Sequence, residues 1–218
     1  KLGHKTAFIG KVGQDGFGNQ LEEALVETGI SAEGLCRDKA VHTTLAVVHT
    51  FADGERDFSF YRNPGADMRL TTEEVNMELI RQAKIFHFGT LSMTHEPVRS
   101  ATYAAIAEAE KNGVLRSFDP NLRPPLWRTL EETKEQVLYG MAHCDILKIS
   151  DNEIQWLTGL EDFDAGIRWI QKRFPKIRLI LLSMGRDGSR AYAGETMAQA
   201  GGFTVNAIET TGAGDTFF

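Results

Sequence analysis

Cysteine is scarce in this chain, two residues in 218. Cys36 and Cys144 form no CxxC pair and no zinc spacing, which excludes a disulfide framework and a cysteine-built zinc site. Long apolar runs are missing as well. The longest purely aliphatic stretch, LILL at 179–182, is far short of the roughly 20 residues of a membrane-spanning helix. There is no run of like charge, and a net charge of −6 leaves no surplus of Lys and Arg to neutralise phosphates, which argues against a nucleic-acid partner. The six histidines include no HxH or HxxxH pair, so a histidine metal site has no support. His87, at the end of an apolar stretch, reads as structural. With no N-x-[ST] acceptor and no leader-like start, a reducing cytoplasm is the expected compartment.

What is present is ordinary globular composition, 42% hydrophobic and 25% charged, enough for a sizeable core and one to two domains. KTAFIGKVG (5–13) reads as a buried strand. GNQLEEALVETG (18–29) reads as a helix with Leu21, Leu25 and Val26 on one face and Gly29 at its end. TTLAVVHTF (43–51) and RDFSFYR (56–62) read as strands joined by ADGE turn chemistry. The pattern then alternates. Helices are expected over 71–83, 96–113, 129–142, 152–159 and 164–174, and strands over 84–89, 114–119, 145–150 and 177–183, followed by a β-rich stretch from 189. Trp156 and Trp169 read as core residues at helical spacing.

Strands separated by helices of this length imply βαβ crossovers, hence an α/β protein with a parallel sheet and helices on both faces. The expected organisation is one α/β domain, 1–39 with 66–218, and a small β lid at 40–65. Ligands of such sheets sit beyond the carboxyl ends of the strands, which marks Gly89, Asp119, Ser150, Ser183 and the final loop.

The last residues, ETTGAGDTFF (209–218), combine glycines that let backbone N–H groups crowd together with apolar residues typical of a buried helix. Such a turn suits an anion. Asp215 then either caps the helix or acts as a base facing a phosphate. No GxxxxGK[ST] occurs, and GQDGFG (13–18) has the wrong order for GxGxxG. DPNLR (119–123) is either a plain Asp-Pro turn or a cluster of hydroxyl- and phosphate-binding side chains at a strand end. SMGRDG (183–188) is at least a tight turn. Glu153 is at least a first-turn helix Glu, and Arg62 in FYRN at least a solvated edge-strand residue.

ETTGAGDTF resembles the C-terminal signature of the ribokinase-like PfkB carbohydrate kinases, whose usual form is DTTGAGD. Gly3 and Gly13 match the two glycines that end the family's N-terminal signature. DPNLR, SDNEIQWLTG and SMGRDG follow in the family's order, so the resemblance covers the whole chain. Within the family, FIGKVGQDGFG, ADGERDFSFYRNPGADM and DPNLRPPLW are most similar to the fructokinase branch.

The resemblance implies a ribokinase-like, Rossmann-like fold and ATP-dependent phosphorylation of a sugar hydroxyl, with fructose the expected substrate and 2-keto-3-deoxygluconate the alternative. It makes Asp215 the base, and the N–H groups of Gly212, Ala213 and Gly214 an anion hole. It assigns Arg62, Phe60, Asp119, Asn121 and Arg123 to the sugar side, and Ser183, Gly185, Gly188 and Glu153 to ATP and Mg2+. The family's N-x-x-E motif has Ser150 in place of Asn, so only Glu153 carries over. Glu209 and Thr211 are implied to hold a monovalent cation such as K+, although Glu209 stands where the family usually has Asp. The hairpin at 43–62 is expected to be able to pair two copies. An inactive sugar- or nucleotide-binding paralogue is the reading from another class, and the intact GAGD turn argues against it.

The resemblance also implies that family segments belong before Gly3 and after Phe218. Residues 1–218 expressed alone are therefore expected to fold poorly and to be inactive; a cooperative melt with ATP-dependent stabilisation would refute this.

Overall fold

A computed structural model describes residues 3–50, 56–204 and 212–218. The chain divides into two compact units, Lys1–Ala83 with Ser92–Glu108, and Lys84–Leu91 with Ala109–Phe218.

In the first unit, β1 (Thr6–Gly13) leads into α1 (Gly16–Glu27) and back to β2 (Ile30–Asp38), which pairs parallel with β1 as a two-stranded sheet. Asp15 caps α1 by accepting from the Gly18 N–H at 2.8 Å. It also accepts from Thr43 N and Thr43 Oγ1, each at 2.8 Å, and these backbone donors hold its pKa well below the usual carboxylate range. β3 (Leu45–Thr50) and β4 (Arg56–Tyr61) form an antiparallel hairpin with Ala46 opposite Phe60 and Val48 opposite Phe58. The ring centroids of Phe58 and Phe60 lie 6.0 Å apart on one face, as the alternation in RDFSFYR predicts.

The sequence expectation fails in this unit at several places. β1, expected as a buried strand, is buried only at Val12 and Gly13, and Phe8 is 45% exposed, because a two-stranded sheet leaves much of its surface uncovered. Strand β2, ISAEGLCRD, was not expected, because its polar residues hide the alternation; pairing with β1 rather than local pattern makes it a strand. The helix expected over 71–83 is broken. Thr71 and Glu74 form a reciprocal capping box around a single 3-10 turn, Val75 is extended, and Asn76 opens a new short helix, α2 (Met77–Gln82). Two capping residues five positions apart leave no room for one continuous helix. The Leu21–Val26 face of α1 is present but exposed, Val26 at 62%.

In the second unit, six strands lie in the order β10-β9-β8-β7-β6-β5. β5 (Ile85–Gly89), β6 (Leu115–Asp119), β7 (Ile146–Ser150) and β8 (Leu179–Ser183) run parallel. β9 (Ser189–Ala193) and β10 (Thr196–Ala200) add an antiparallel edge, turning at Gly194 with φ +59°. The crossovers run through helices, as the alternation predicts. They are α3 (Val98–Lys111), most of which belongs to the first unit, and α4 (Leu130–Ala142), α5 (Asp151–Thr158) and α6 (Phe163–Arg173); the short α7 (Ala213–Phe217) follows the strands. In β6 four consecutive residues from Arg116 to Asp119 are buried, and in β7 Leu147 to Ile149 are. Burial of both odd and even positions means that both faces of the sheet are covered, the mark of a parallel core. Phe118, Leu147, Ile149, Ile154, Ile167, Ile170, Ile180 and Leu182 form that core, each under 2% exposed.

Trp156 and Trp169 are only half-buried, a correction to their expected place in the core. They lie at the flanks of α5 and α6, where Trp169 stacks with Arg173 instead, 5.4 Å from its guanidinium carbon. The buried indole is Trp127.

Gly140 of α4 sits directly on the Phe118 ring; a Cβ there would overlap the ring carbons. Gly140→Ala would gain about 1 kcal/mol of helix propensity, yet overpacking costs about 1–3 kcal/mol. We expect a net loss of stability, read as a lower urea midpoint; a midpoint raised above wild type would show that the core yields at this point.

Candidate active site

The sheet of the second unit delivers its strand ends together. Gly89 lies opposite Asp119 and Ser150 opposite Ser183 in the parallel register, so the polar residues marked in the sequence share one edge. Asp119 is 4% exposed and its Oδ2 lies 3.0 Å from Lys148 Nζ. Burial pushes the Asp119 pKa up, and the Lys148 ammonium pulls against it. Lys148 is a functional candidate that reading the sequence missed. Its signal was a lone charge inside the apolar strand DILKIS, since lysines are almost never fully buried without a partner.

The DPNLR loop is pinned from several sides. Asp119 Oδ1 accepts from Asn121 N at 3.1 Å, Thr90 Oγ1 donates to Pro120 O at 2.5 Å, and Arg123 Nη1 donates to Leu122 O at 2.8 Å. Asn121 takes φ +44°, a left-handed conformation that Asn tolerates better than most residues. Glu153 is more than a solvated helix residue. It is 8% exposed; one carboxylate oxygen accepts from Leu122 N at 2.9 Å, and the other from Ser150 N and Ser150 Oγ, both at 2.8 Å. Ser150 in turn caps α5 by accepting from Glu153 N. The Ser in place of the family's Asn thus completes a capping box, and Glu153 ties the start of α5 to the DPNLR loop.

The final turn comes to the same edge. Gly212 takes φ +76° and starts α7, closed by Thr216 N donating to Gly212 O at 2.8 Å. A Cβ added at Gly214 would lie 3.3 Å from Lys148 Nζ, so the backbone of this turn passes close against the Asp119–Lys148 pair. Asp215 is exposed. His87 packs against Phe218, ring centroids 5.2 Å apart, and its Nδ1 lies 3.1 Å from Ser117 Oγ. Burial lowers its pKa, with Asp215 pulling it up and Lys148 pushing it further down. Glu209 and Thr211 lie outside the described residues.

SMGRDG forms a 3-10 turn between β8 and β9, with Met184 N donating to Gly188 O at 2.9 Å. Gly185 and Gly188 take φ +53° and +94°, and a Cβ at Gly188 would meet the Ala200 carbonyl oxygen. The glycines are therefore required by the turn itself. Ser183 stands at the end of β8.

In the first unit, Arg62 is 8% exposed rather than solvated. Its Nε and Nη2 each lie 2.7 Å from Asp67 Oδ2, and its Nη1 donates to Thr94 Oγ1 at 3.0 Å. Phe60 is half-buried on the hairpin. Among the described residues no group of three or more His, Cys, Asp or Glu side chains could hold a metal ion by itself, and no helix is long and apolar enough to cross a membrane.

A mostly parallel α/β sheet flanked by helices is the architecture that the chain shares with ribokinase-fold kinases. The chain superposes on fructokinase from Vibrio cholerae O395 solved with fructose, ADP and calcium ion. The TM-score is 0.89 at 30% identity, covering 99% of this chain and 69% of that one. Xylella fastidiosa fructokinase with bound ATP gives a TM-score of 0.89 at 30% identity, over 99% of this chain and 66% of that one. The model of the pfkB family of carbohydrate kinases matches residues 1–218, and the chain belongs to that family. It is 45% identical to Fructokinase-2 of Solanum lycopersicum over 100% of its own length and 66% of that relative's. The chain thus spans about two thirds of the length of the curated relatives it matches.

Glu153→Gln puts an amide N–H2 where a carboxylate oxygen accepts from backbone N–H groups. Leaving one such donor unsatisfied costs about 1–3 kcal/mol. We expect the full-length variant to unfold at lower urea; an unchanged midpoint would show that the tie between α5 and the DPNLR loop is dispensable.

Proposed function

We propose that the protein is an ATP-dependent fructokinase that transfers the γ-phosphoryl group to fructose, giving fructose 6-phosphate and ADP. The observation that supports this most is the approach of the GAGD turn to the buried Asp119–Lys148 pair. On this reading Asp215 supplies the base, the turn supplies backbone N–H groups, and Lys148 supplies a cation beside them. The likeness to proteins named fructokinase supports the sugar.

Phosphoryl transfer asks for in-line positioning, neutralised phosphate charge and removal of the hydroxyl proton. Asp215 takes that proton as the sugar oxygen bonds to phosphorus and the bridge to ADP breaks. An alcohol is a weak acid, so the position of the carboxylate matters more than its pKa. The N–H groups of Gly212, Ala213, Gly214 and Asp215 receive the charge on the moving phosphoryl oxygens. Asp119, Asn121 and Arg123 face the sugar and the phosphate from the DPNLR loop. Arg62 and Phe60 are sugar contacts, and Arg62 is already set in one orientation by Asp67 and Thr94.

Ser183, Gly185 and Gly188 serve ATP through the turn that follows β8. Mg2+ needs only one or two carboxylates when it travels on nucleotide phosphates, and Asp119 and Glu153 fit that demand. Asp119 and Glu153 would hold the ion, which would supply neutralising charge to the nucleotide phosphates. Glu209 and Thr211 are the proposed contacts for a monovalent cation, and the cytoplasm is the proposed compartment.

A coupled ADP-release assay of the full-length protein on a panel of sugars and sugar acids tests the assignment; preference for 2-keto-3-deoxygluconate over fructose would overturn it. Asp215→Asn is expected to lower kcat by about 10³-fold or more, at the upper end of general-base effects, while ATP affinity stays within about twofold. Near-normal turnover in that variant would remove Asp215 as the base.

A further inference from the structure

Strand β7 carries one charge inside an otherwise apolar run. Leu147 and Ile149 are fully buried, and Lys148 between them is 6% exposed. An ammonium taken out of water costs several kcal/mol unless it is well paired, and two apolar residues of similar volume serve a core as well as a buried ion pair does or better. Core packing alone therefore does not account for this lysine.

Its surroundings do. Asp119 Oδ2, at 3.0 Å, is its ionic partner among the described residues, while Asp119 Oδ1 is engaged by Asn121 N. An ammonium has three N–H donors, and one carboxylate oxygen does not exhaust them. The nitrogen lies at the GAGD turn, where a Cβ on Gly214 would be 3.3 Å from Nζ and 3.9 Å from Cε. Position 214 thus carries no side chain between this charge and the turn. His87, Asp215 and Glu153 are titratable groups close by: His87 responds electrostatically to both Asp215 and Lys148, and Asp119 to Glu153. Burial disfavours the charged imidazole; Lys148, paired with Asp119, is the lysine that lies against the turn.

We infer that Lys148 contacts the terminal phosphate of the bound nucleoside triphosphate: Asp119 aims its ammonium at the GAGD turn, where it donates hydrogen bonds to the phosphoryl group in flight. The inference rests on the sugar-kinase reading above. As the bond from the bridging oxygen to the γ-phosphorus breaks and the bond from the sugar oxygen forms, the hydroxyl proton goes to Asp215. Lys148 keeps its own proton throughout and acts as a point charge. Asp119, which acts through Lys148, has a positioning role as well as the sugar-side role proposed above.

The test uses the full-length protein. Isothermal titration with a non-hydrolysable ATP analogue and with ADP, without sugar, is compared for wild type, Lys148→Met and Lys148→Arg. The Met variant should lose at least about tenfold of the triphosphate-over-diphosphate preference, a loss of about 1.4 kcal/mol, and should lower kcat about 10²-fold. The Arg variant, keeping the charge, should recover part of both. If the Met variant binds both nucleotides with the wild-type ratio and only melts at a lower temperature, Lys148 is a structural partner of Asp119 and the inference falls.

A second measurement covers a Met variant that does not fold. Acetylation of Lys148 in the wild-type protein, read by mass spectrometry, should be blocked more by the ATP analogue than by ADP at equal site occupancy; equal protection overturns the inference. Fructose turnover by the wild type tests the sugar-kinase reading separately. Its absence, with a Lys148-dependent triphosphate preference intact, removes that reading and leaves the phosphate contact standing.

Discussion

Asp119 and Lys148 lie 3.0 Å apart, each almost wholly out of water, at the carboxyl edge of the six-stranded sheet. Neither charge is tolerable there alone, because a buried ion without a partner costs several kcal/mol. The pair fixes what surrounds it. Asp119 reaches from the end of β6 to Lys148 on β7 and also receives Asn121 N, so the DPNLR loop turns where the pair requires. The GAGD turn then approaches the same ammonium closely enough that Gly214 has little room for a side chain.

The rest of the edge follows from parallel geometry. Parallel strands place all their carboxyl ends on one side, and the crossover helices begin there. Glu153 exploits this arrangement: seated in the first turn of α5, it spends both oxygens on backbone donors of its own cap and of the neighbouring loop. A helix cap and a loop anchor are the same carboxylate. The SMGRDG turn is equally constrained, because its glycines adopt positive φ angles that the chain reversal demands.

The sequence was most legible where pattern and chemistry are local. Apolar runs ending in a polar residue gave β5 to β8, helical periodicity gave α3 to α6, and glycine with aspartate gave the turns. It was least legible where partners far along the chain decide. ISAEGLCRD shows no strand alternation and is a strand because β1 lies beside it. The 71–83 segment has helical periodicity, but Asn76 offers a competing cap that breaks it. Trp156 and Trp169 sit at helical spacing yet only half leave water, since the buried stripes of α5 and α6 are filled by Ile154, Leu157, Ile167 and Ile170. Arg62, for which the strand pattern left open a solvated position, is buried, with Asp67 and Thr94 bonded to its guanidinium.

By itself the sequence determined the α/β class, the family resemblance and the motif residues Asp119, Glu153, Gly212 and Asp215, because spacing, turn chemistry and signature order are properties of the chain alone. Only the tertiary structure decided which of these groups meet. It made Glu153 a tie between two loops, set Ser150 as a cap, and drew Lys148 out of an apolar strand into a charged corner beside Gly214. The physical reason is that burial and charge pairing depend on strand register and on which loop lies across which strand end. No window along the sequence contains that information.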